Sequence, residues 1–299
     1  MGISFKTIYL KENQGHGDAR RKSLEQCSCD LVALMDADDI SLQNRFEKQL
    51  EQFAQNEEVS IVGGQITEFV NDPQNITGKR EVPEKDSDIK DYLKKRCPMN
   101  QVSVMFKKHD VEKAGGYIDW YCEEDYYLWI RMAQNGCTFV NVPDVLVNVR
   151  VGDEMSARRG GWKYFSSEAR LQKYMYDNKI ISFVQYLYNV GIRFVGEVLV
   201  SDKLRTKLFR FMRTSYDVCE KHEQSKVENV SGIKYPPFSV SMCVYGGDRP
   251  EWFDSALESV VNQTVKPDEI VLVVDGPIPD SIQNVINKYQ GICNAKEGN

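Results

Sequence analysis

Leu31-Val32-Ala33-Leu34-Met35-Asp36-Ala37-Asp38-Asp39 is the stretch on which the reading of this chain turns. Five apolar residues in a row, without alternation, suit a parallel strand buried on both faces. The run stops at three aspartates within four residues. In an open α/β sheet, ligands bind beyond the carboxyl ends of the strands, and the acidic group falls there. Carboxylates this close repel one another unless solvent or a cation neutralises them. A divalent ion such as Mg²⁺ is typically held by one or two carboxylates plus substrate phosphates. The competing reading is a solvated acidic turn in which Asp39 or Ser41 caps the next helix.

Upstream of that run, residues 3–10 read as a strand, 13–17 as a polar loop and 18–27 as a helix. Downstream, 45–53 read as a helix, 59–64 as a strand ending in a Gly63-Gly64 turn, and 102–106 as a strand. Residues 126–134 show helical apolar spacing and stop at Gly136, and 139–143 are extended. The alternation of strands and helices argues for an α/β layer fold. Residues 161–213 differ: they are helical in pattern, aromatic and increasingly basic, with six Lys/Arg between 193 and 213 against Glu197 and Asp202. Such a segment suits packing on the α/β unit with peripheral contact to an anionic membrane through 193–213. Gln185, Arg193 and Glu197 interrupt 180–200 and argue against a spanning helix. Residues 214–237 are polar, end at Pro236-Pro237 and read as a linker. A new β-α-β-α series then begins, with strands at 238–245 and 269–274 and helices at 250–262 and 280–289.

The 299 residues are 41% apolar and 27% charged, an ordinary globular balance. The net charge of −6 argues against nucleic acid as a partner. Residues 1–6 lack the apolar run of a signal peptide, and the eight cysteines are scattered. A cytoplasmic protein with reduced thiols is expected.

Other polar groups surround the acidic run in the sequence. Asp275 ends the second strand of the last unit, where it could meet a base N–H or serve as a turn aspartate before Gly276. Arg20, with Arg21 and Lys22, brings positive charge that suits a diphosphate, or simply a solvated helix face. Glu123-Glu124-Asp125 opens a helix, where the macrodipole favours acids. One of these carboxylates could also take a proton from an acceptor hydroxyl. Trp129 and Trp120 offer faces for a sugar, unless they belong to the core.

Together these pieces resemble glycosyltransferase family 2. The resemblance rests on 239–245, Val273-Val274-Asp275-Gly276, residues 13–20, Met35-Asp36-Ala37-Asp38-Asp39 and Glu124-Asp125-Tyr126-Tyr127-Leu128-Trp129, and is strongest toward bacterial enzymes of capsule and exopolysaccharide assembly. It implies a GT-A-like fold: a Rossmann-type, mostly parallel central sheet flanked by helices. It implies an inverting, metal-dependent transfer from a nucleotide-sugar, with UDP the nucleotide weighted by the family, to a glycan or lipid-linked glycan. Asp275, Val244 and Tyr245 would lie at the base, Arg20 near the base and diphosphate, Gly15 among the nucleotide-sugar-binding residues, and Asp36 at the ribose or metal. Asp38 would ligate Mg²⁺ or Mn²⁺. Asp125 would be the base with Glu124 beside it, and Asn100, Trp129 and Trp120 would face the acceptor. Arg21 stands where the family often has Asn, and Gln101 where close relatives often have His.

The order of the pieces departs from the family. The unit that usually opens the chain comes last here, which reads as a circular permutation. Residues 1–160 would carry the metal, donor-phosphate and acceptor parts, and 238–299 the nucleotide-binding part of the same domain. A rival account has 238–299 completing another chain's site in a domain-swapped oligomer. The functional alternatives are a nucleotidyltransferase, a non-catalytic glycan-binding module, and an inactive rearrangement product.

Overall fold

The computed structural model describes residues 2–152, 161–199 and 235–294. Its strands are β1 (Ser4–Tyr9), β2 (Leu31–Asp36), β3 (Ile40–Ser41), β4 (Val59–Phe69), β5 (Ile76–Arg80), β6 (Met105–Lys107), β7 (Thr138–Arg150), β8 (Phe238–Tyr245) and β9 (Glu269–Asp275). The helices are α1 (His16–Gln26), α2 (Arg45–Gln55), α3 (Asp86–Leu93), α4 (Lys108–Lys113), α5 (Glu124–Gln134), α6 (Gly161–Asp177), α7 (Phe183–Phe194), α8 (Pro250–Val261) and α9 (Asp280–Asn294). One sheet runs β1-β9-β8-β2-β6-β4-β7-β3, with β5 paired to β4. The first four strands are mutually parallel, and antiparallel β6 joins them to the parallel pair β4 and β7.

The unbroken apolar run of β2 is explained by its two covered faces. Leu31, Ala33 and Met35 pack into one core cluster, Val32 and Leu34 into the other. β8 and β9 lie between β1 and β2, so the last described segment of the chain completes the sheet begun by the first. The register Asp36↔Cys243 and Tyr245↔Asp275 brings three strand ends to one edge. α9 returns along β1: Gln283 bonds Tyr9 Oη, and Gln290 donates to Thr7 Oγ1 at 3.0 Å.

Two local expectations are corrected. Gly63-Gly64 is not a turn, because β4 continues to Phe69. A Cβ at Gly63 would stand 2.4 Å from Asn141 Oδ1, and one at Gly64 2.6 Å from the Leu146 side chain. The glycines are there for close approach to β7. The strand expected at 102–106 is instead a 3-10 turn, Gln101–Ser103, followed by the short β6. The turn is locked by Ser103 Oγ donating to Asn100 O at 2.7 Å.

The basic stretch expected at 193–213 and the linker at 214–237 lie largely outside the described residues. Among those described, no helix is long and apolar enough to cross a membrane.

Candidate active site

The carboxyl ends of β9, β8 and β2 carry acids. Asp36 ends β2, the turn after it holds Asp38 and Asp39, the turn after β8 holds Asp248, and Asp275 ends β9. Across them lies the N-terminal half of α1, opened by Gly15 at φ +87°.

The three neighbouring aspartates have different surroundings. Asp36 pairs with Arg20, Nη2 to Oδ1 at 2.6 Å. Asp39 is buried and accepts the Arg150 N–H at 2.8 Å, latching the turn to the end of β7. Burial, then Asp38 and Asp36, push its carboxyl well above the usual range. Asp38 is pushed up to about 6 by burial, then by Asp36 and Asp248. Asp248 also rises to about 6, by burial and by Asp36, although the Tyr245 N–H bond at 3.0 Å opposes the shift. Asp248 therefore shares the field of Asp36 and Asp38. Sequence reading did not single out Asp248, although its position just past a parallel strand was the same signal that marked Asp36.

Arg20 is 4% exposed. Burial alone would lower its pKa, but Asp36, then Tyr117, Cys243 and Glu124, hold it above the ordinary value. His16 Nε2 lies 2.9 Å from Nη2, and Nη1 is buried with no hydrogen-bond partner among the described residues. Arg20 thus stands between the acidic strand end and the start of α5.

At that start, burial and then Asp125 raise Glu124 above its ordinary value. Asp125 Oδ1 accepts the Tyr126 N–H at 2.7 Å, and Oδ2 lies 4.0 Å from Cys97 Sγ. Glu123 is buried and raised well above its usual range, by burial and then by Glu168.

Asp275 binds the loop before α1. Its Oδ1 accepts from Gln14 N–H at 2.8 Å and its Oδ2 from Gly15 N–H at 3.1 Å. Gly276 follows at φ +90°, and a Cβ there would meet the Asn13 nitrogen at 2.8 Å. Tyr245 is exposed at the same edge, while the Val244 side chain is buried and only its backbone belongs to the edge.

Of the expected acceptor residues, Trp129 and Asn100 are enclosed, and Trp120 stands just before α5 with its carbonyl accepting the Glu123 N–H at 3.0 Å. Trp129 is wholly buried against Phe106. Asn100 is buried, and its amide donates to Gly64 O at 2.8 Å. Trp120 packs on Tyr127 and under the Arg170 guanidinium, and its indole N–H donates to Ser167 O. All three have packing partners. Sequence reading missed Arg150, which bonds Asp38 O at 3.1 Å and stacks on Phe69 and on Trp252. Arg249 also stacks on Trp252, so two guanidiniums flank one ring beside the acids.

Residues 2–111 match the family model for glycosyl transferase family 2. Over 211 residues the chain is 37% identical to an uncharacterized glycosyltransferase of Haemophilus influenzae, covering 71% of this chain and 78% of that one. The chain belongs to glycosyltransferase family 2. This glycosyltransferase is also 37% identical, over 197 residues, to the UDP-Gal:alpha-D-GlcNAc-diphosphoundecaprenol beta-1,3-galactosyltransferase of Escherichia coli. That match covers 66% of this chain and 71% of the relative. The amylovoran biosynthesis glycosyltransferase AmsE of Erwinia amylovora is 36% identical over 178 residues, 60% of this chain and 66% of its own. Family membership sets aside the nucleotidyltransferase alternative.

Among the described residues, no three His, Cys, Asp or Glu side chains are grouped to hold an ion unaided. Asp36 and Asp38 offer the one or two carboxylates that suffice when phosphate oxygens complete the shell. The raised Asp38 and Asp248 show negative charge that a cation would relieve. The residues fit a divalent ion bound together with a diphosphate.

Proposed function

We propose that this family 2 chain is an inverting transferase that moves a sugar from a nucleotide-sugar, UDP first among the candidates, to a hydroxyl of a lipid-linked glycan. The reading places it in cell-surface polysaccharide synthesis, on the cytoplasmic side of the membrane. The observation that carries it is Arg20, a buried guanidinium between Asp36 and Glu124 with Nη1 unpartnered. A buried donor without an acceptor is costly, and a diphosphate oxygen would satisfy it. Asp38 and Asp36, with Asp248 beside them, would hold Mg²⁺ or Mn²⁺, which when bound offsets charge on the leaving diphosphate. Gly15 and the backbone at 244–245 would border the nucleotide, with Asp275 holding that edge in shape. The diphosphoundecaprenol in the Escherichia coli relative's name supports the lipid-linked class.

Asp125 accepts the proton of the acceptor hydroxyl. The hydroxyl oxygen bonds to the anomeric carbon from the face opposite the leaving group, and the departing electron pair goes to the diphosphate. General-base help is worth about 10²–10⁴-fold. Asp125→Asn is expected to keep metal-dependent thermal stabilisation by the donor and to lose transfer by that factor. Turnover near wild type in this variant would reject the base assignment. No stabilisation of the wild type by any nucleotide-sugar with Mn²⁺ would support the inactive alternative.

The same reading includes circular permutation. It is supported by β8 and β9 lying between β1 and β2 of one chain, and by α9 running back beside β1. A swapped oligomer would need those strands to sit in a neighbour's sheet.

A further inference from the structure

α7 is held to the body of the protein by polar anchors as well as by the Tyr186 and Phe194 rings. On its inward face Asn189 is buried and donates to Lys94 O at 2.9 Å and to Gln172 Oε1 at 2.7 Å. Gln185 donates to Asn189 Oδ1, and Arg193 pairs with Glu168 at 2.5 Å while donating to Lys95 O at 2.8 Å. Its outward face carries Phe183, Val184, Leu187, Tyr188, Ile192 and, one turn on, Val195, between 51% and 75% exposed. Those positions recur at helical spacing and form one uncharged stripe. Soluble proteins rarely leave so continuous an apolar strip in water. The buried hydrogen bonds and the Arg193–Glu168 pair hold the helix in this orientation, so the stripe cannot turn inward without breaking them.

We propose that the outer face of α7 docks on the anionic surface of a lipid bilayer. Two observations choose this occupant. Tyr188, and Trp162, which packs on Phe194 at the end of the helix and is 64% exposed, are ring systems with polar ends, the type that settles at the membrane interface. Directly after the helix, the sequence carries Lys203, Arg205, Lys207, Arg210 and Arg213 against Asp202, in a chain whose net charge is −6. A basic excess that follows the helix in sequence adds electrostatic attraction for an acidic leaflet to apolar insertion.

The docked face is tied to the catalytic end. Ser167 of α6 accepts the Trp120 indole N–H at its carbonyl and donates Oγ to Tyr121 O at 2.7 Å. Glu168, one residue on, pairs with Arg193 and lies beside Glu123. Docking through α7 therefore holds the segment leading into Glu124 and Asp125 near the headgroups. That consequence, unlike the docking itself, rests on the lipid-linked acceptor proposed above.

The test is co-sedimentation of the full chain with phosphatidylglycerol-rich and with phosphatidylcholine vesicles, for wild type and for Val184→Ser/Leu187→Ser/Ile192→Ser. Wild type is expected to pellet with the anionic vesicles, and the triple variant to lose about tenfold or more in partitioning. Donor-induced thermal stabilisation, measured on the same preparations, is expected to be equal in both. That readout separates failure of docking from failure of the transferase reading and shows that the variant is folded. Should the variant prove unfolded, Val184→Lys alone is expected to weaken partitioning in the same direction. Wild type remaining in the supernatant, or variants that pellet like wild type, would overturn the proposal. So would a dimer by light scattering that the triple substitution converts to monomer without any vesicle binding, since the stripe would then belong to a second copy.

Discussion

Asp36, Asp38 and Asp39 have one chemistry and three roles. Asp36 is neutralised by Arg20, Asp39 is spent on the Arg150 N–H, and Asp38 keeps its charge problem. Asp39→Ala should therefore lower stability by about 1–3 kcal/mol, the usual cost of stranding a buried partner. Asp38→Asn should instead remove stabilisation by Mn²⁺ while leaving the metal-free melting temperature at or above wild type, because a desolvated charge is lost. Equal metal responses in wild type and Asp38→Asn would reject Asp38 as a ligand. Asp38 and Asp248 also set a pH dependence. Both are raised from 3.8 to about 6 by burial and neighbouring charge. A carboxyl raised in the folded state binds protons more tightly there, so its stabilising contribution is complete below 3.8 and lost as pH rises to about 6. These groups should make the metal-free protein melt higher at about pH 5 than at about pH 7, and the Mn²⁺ increment should shrink over the same fall. Melting curves with and without Mn²⁺ across that range would show a constant increment if the cation does not bind these carboxylates.

Among the elements, β2 was legible because burial on both faces leaves no room for alternation, so five apolar residues in line could be read as a parallel strand. β4 was misread at Gly63-Gly64 because a glycine pair carries the same letters whether the chain turns or another strand comes close. The Asn141 and Leu146 side chains that demand the glycines lie some eighty residues downstream. Gly64→Ala should cost about 1–3 kcal/mol by overpacking against Leu146, measurable as a lower denaturation midpoint. A neutral result would mean that β7 yields more easily than its buried register suggests. α2 carries a similar hidden constraint. Arg45 is wholly buried, with Nη2 donating to Leu34 O at 2.7 Å and Val104 O at 3.3 Å, and Nε bonding Gln49. Burial depresses its pKa, yet a guanidinium remains protonated in a protein. Its charge is met by carbonyl dipoles beneath the acidic turn, and no sequence pattern marks it apart from any other helix-opening arginine.

For the molecule as a whole, the junction between distant segments decides the site. Gln14 and Gly15 donate to Asp275, Ser241 Oγ bonds Ser23 Oγ at 2.7 Å, and Gln263 donates to Leu42 O at 2.8 Å. Each contact spans more than 200 residues of chain and stitches 238–294 to 3–46. If the order is permuted, a chain rearranged as 238–299 followed by 1–213 should give the same far-UV circular dichroism and the same donor-induced stabilisation. A rearranged chain that folds but no longer responds to a donor to which the native order responds would reject the permutation.

The sequence by itself determined the α/β class, the buried parallel strand with its acidic end, and the set of pieces that resemble family 2, because each depends on neighbours within a few residues. Only the tertiary structure decided which aspartate is spent on the fold, that Asp248 joins Asp36 and Asp38, that Trp129 and Asn100 are enclosed, and which face of α7 looks outward. Those outcomes depend on burial and partners brought from distant parts of the chain, and side-chain spacing along one strand or helix does not encode them.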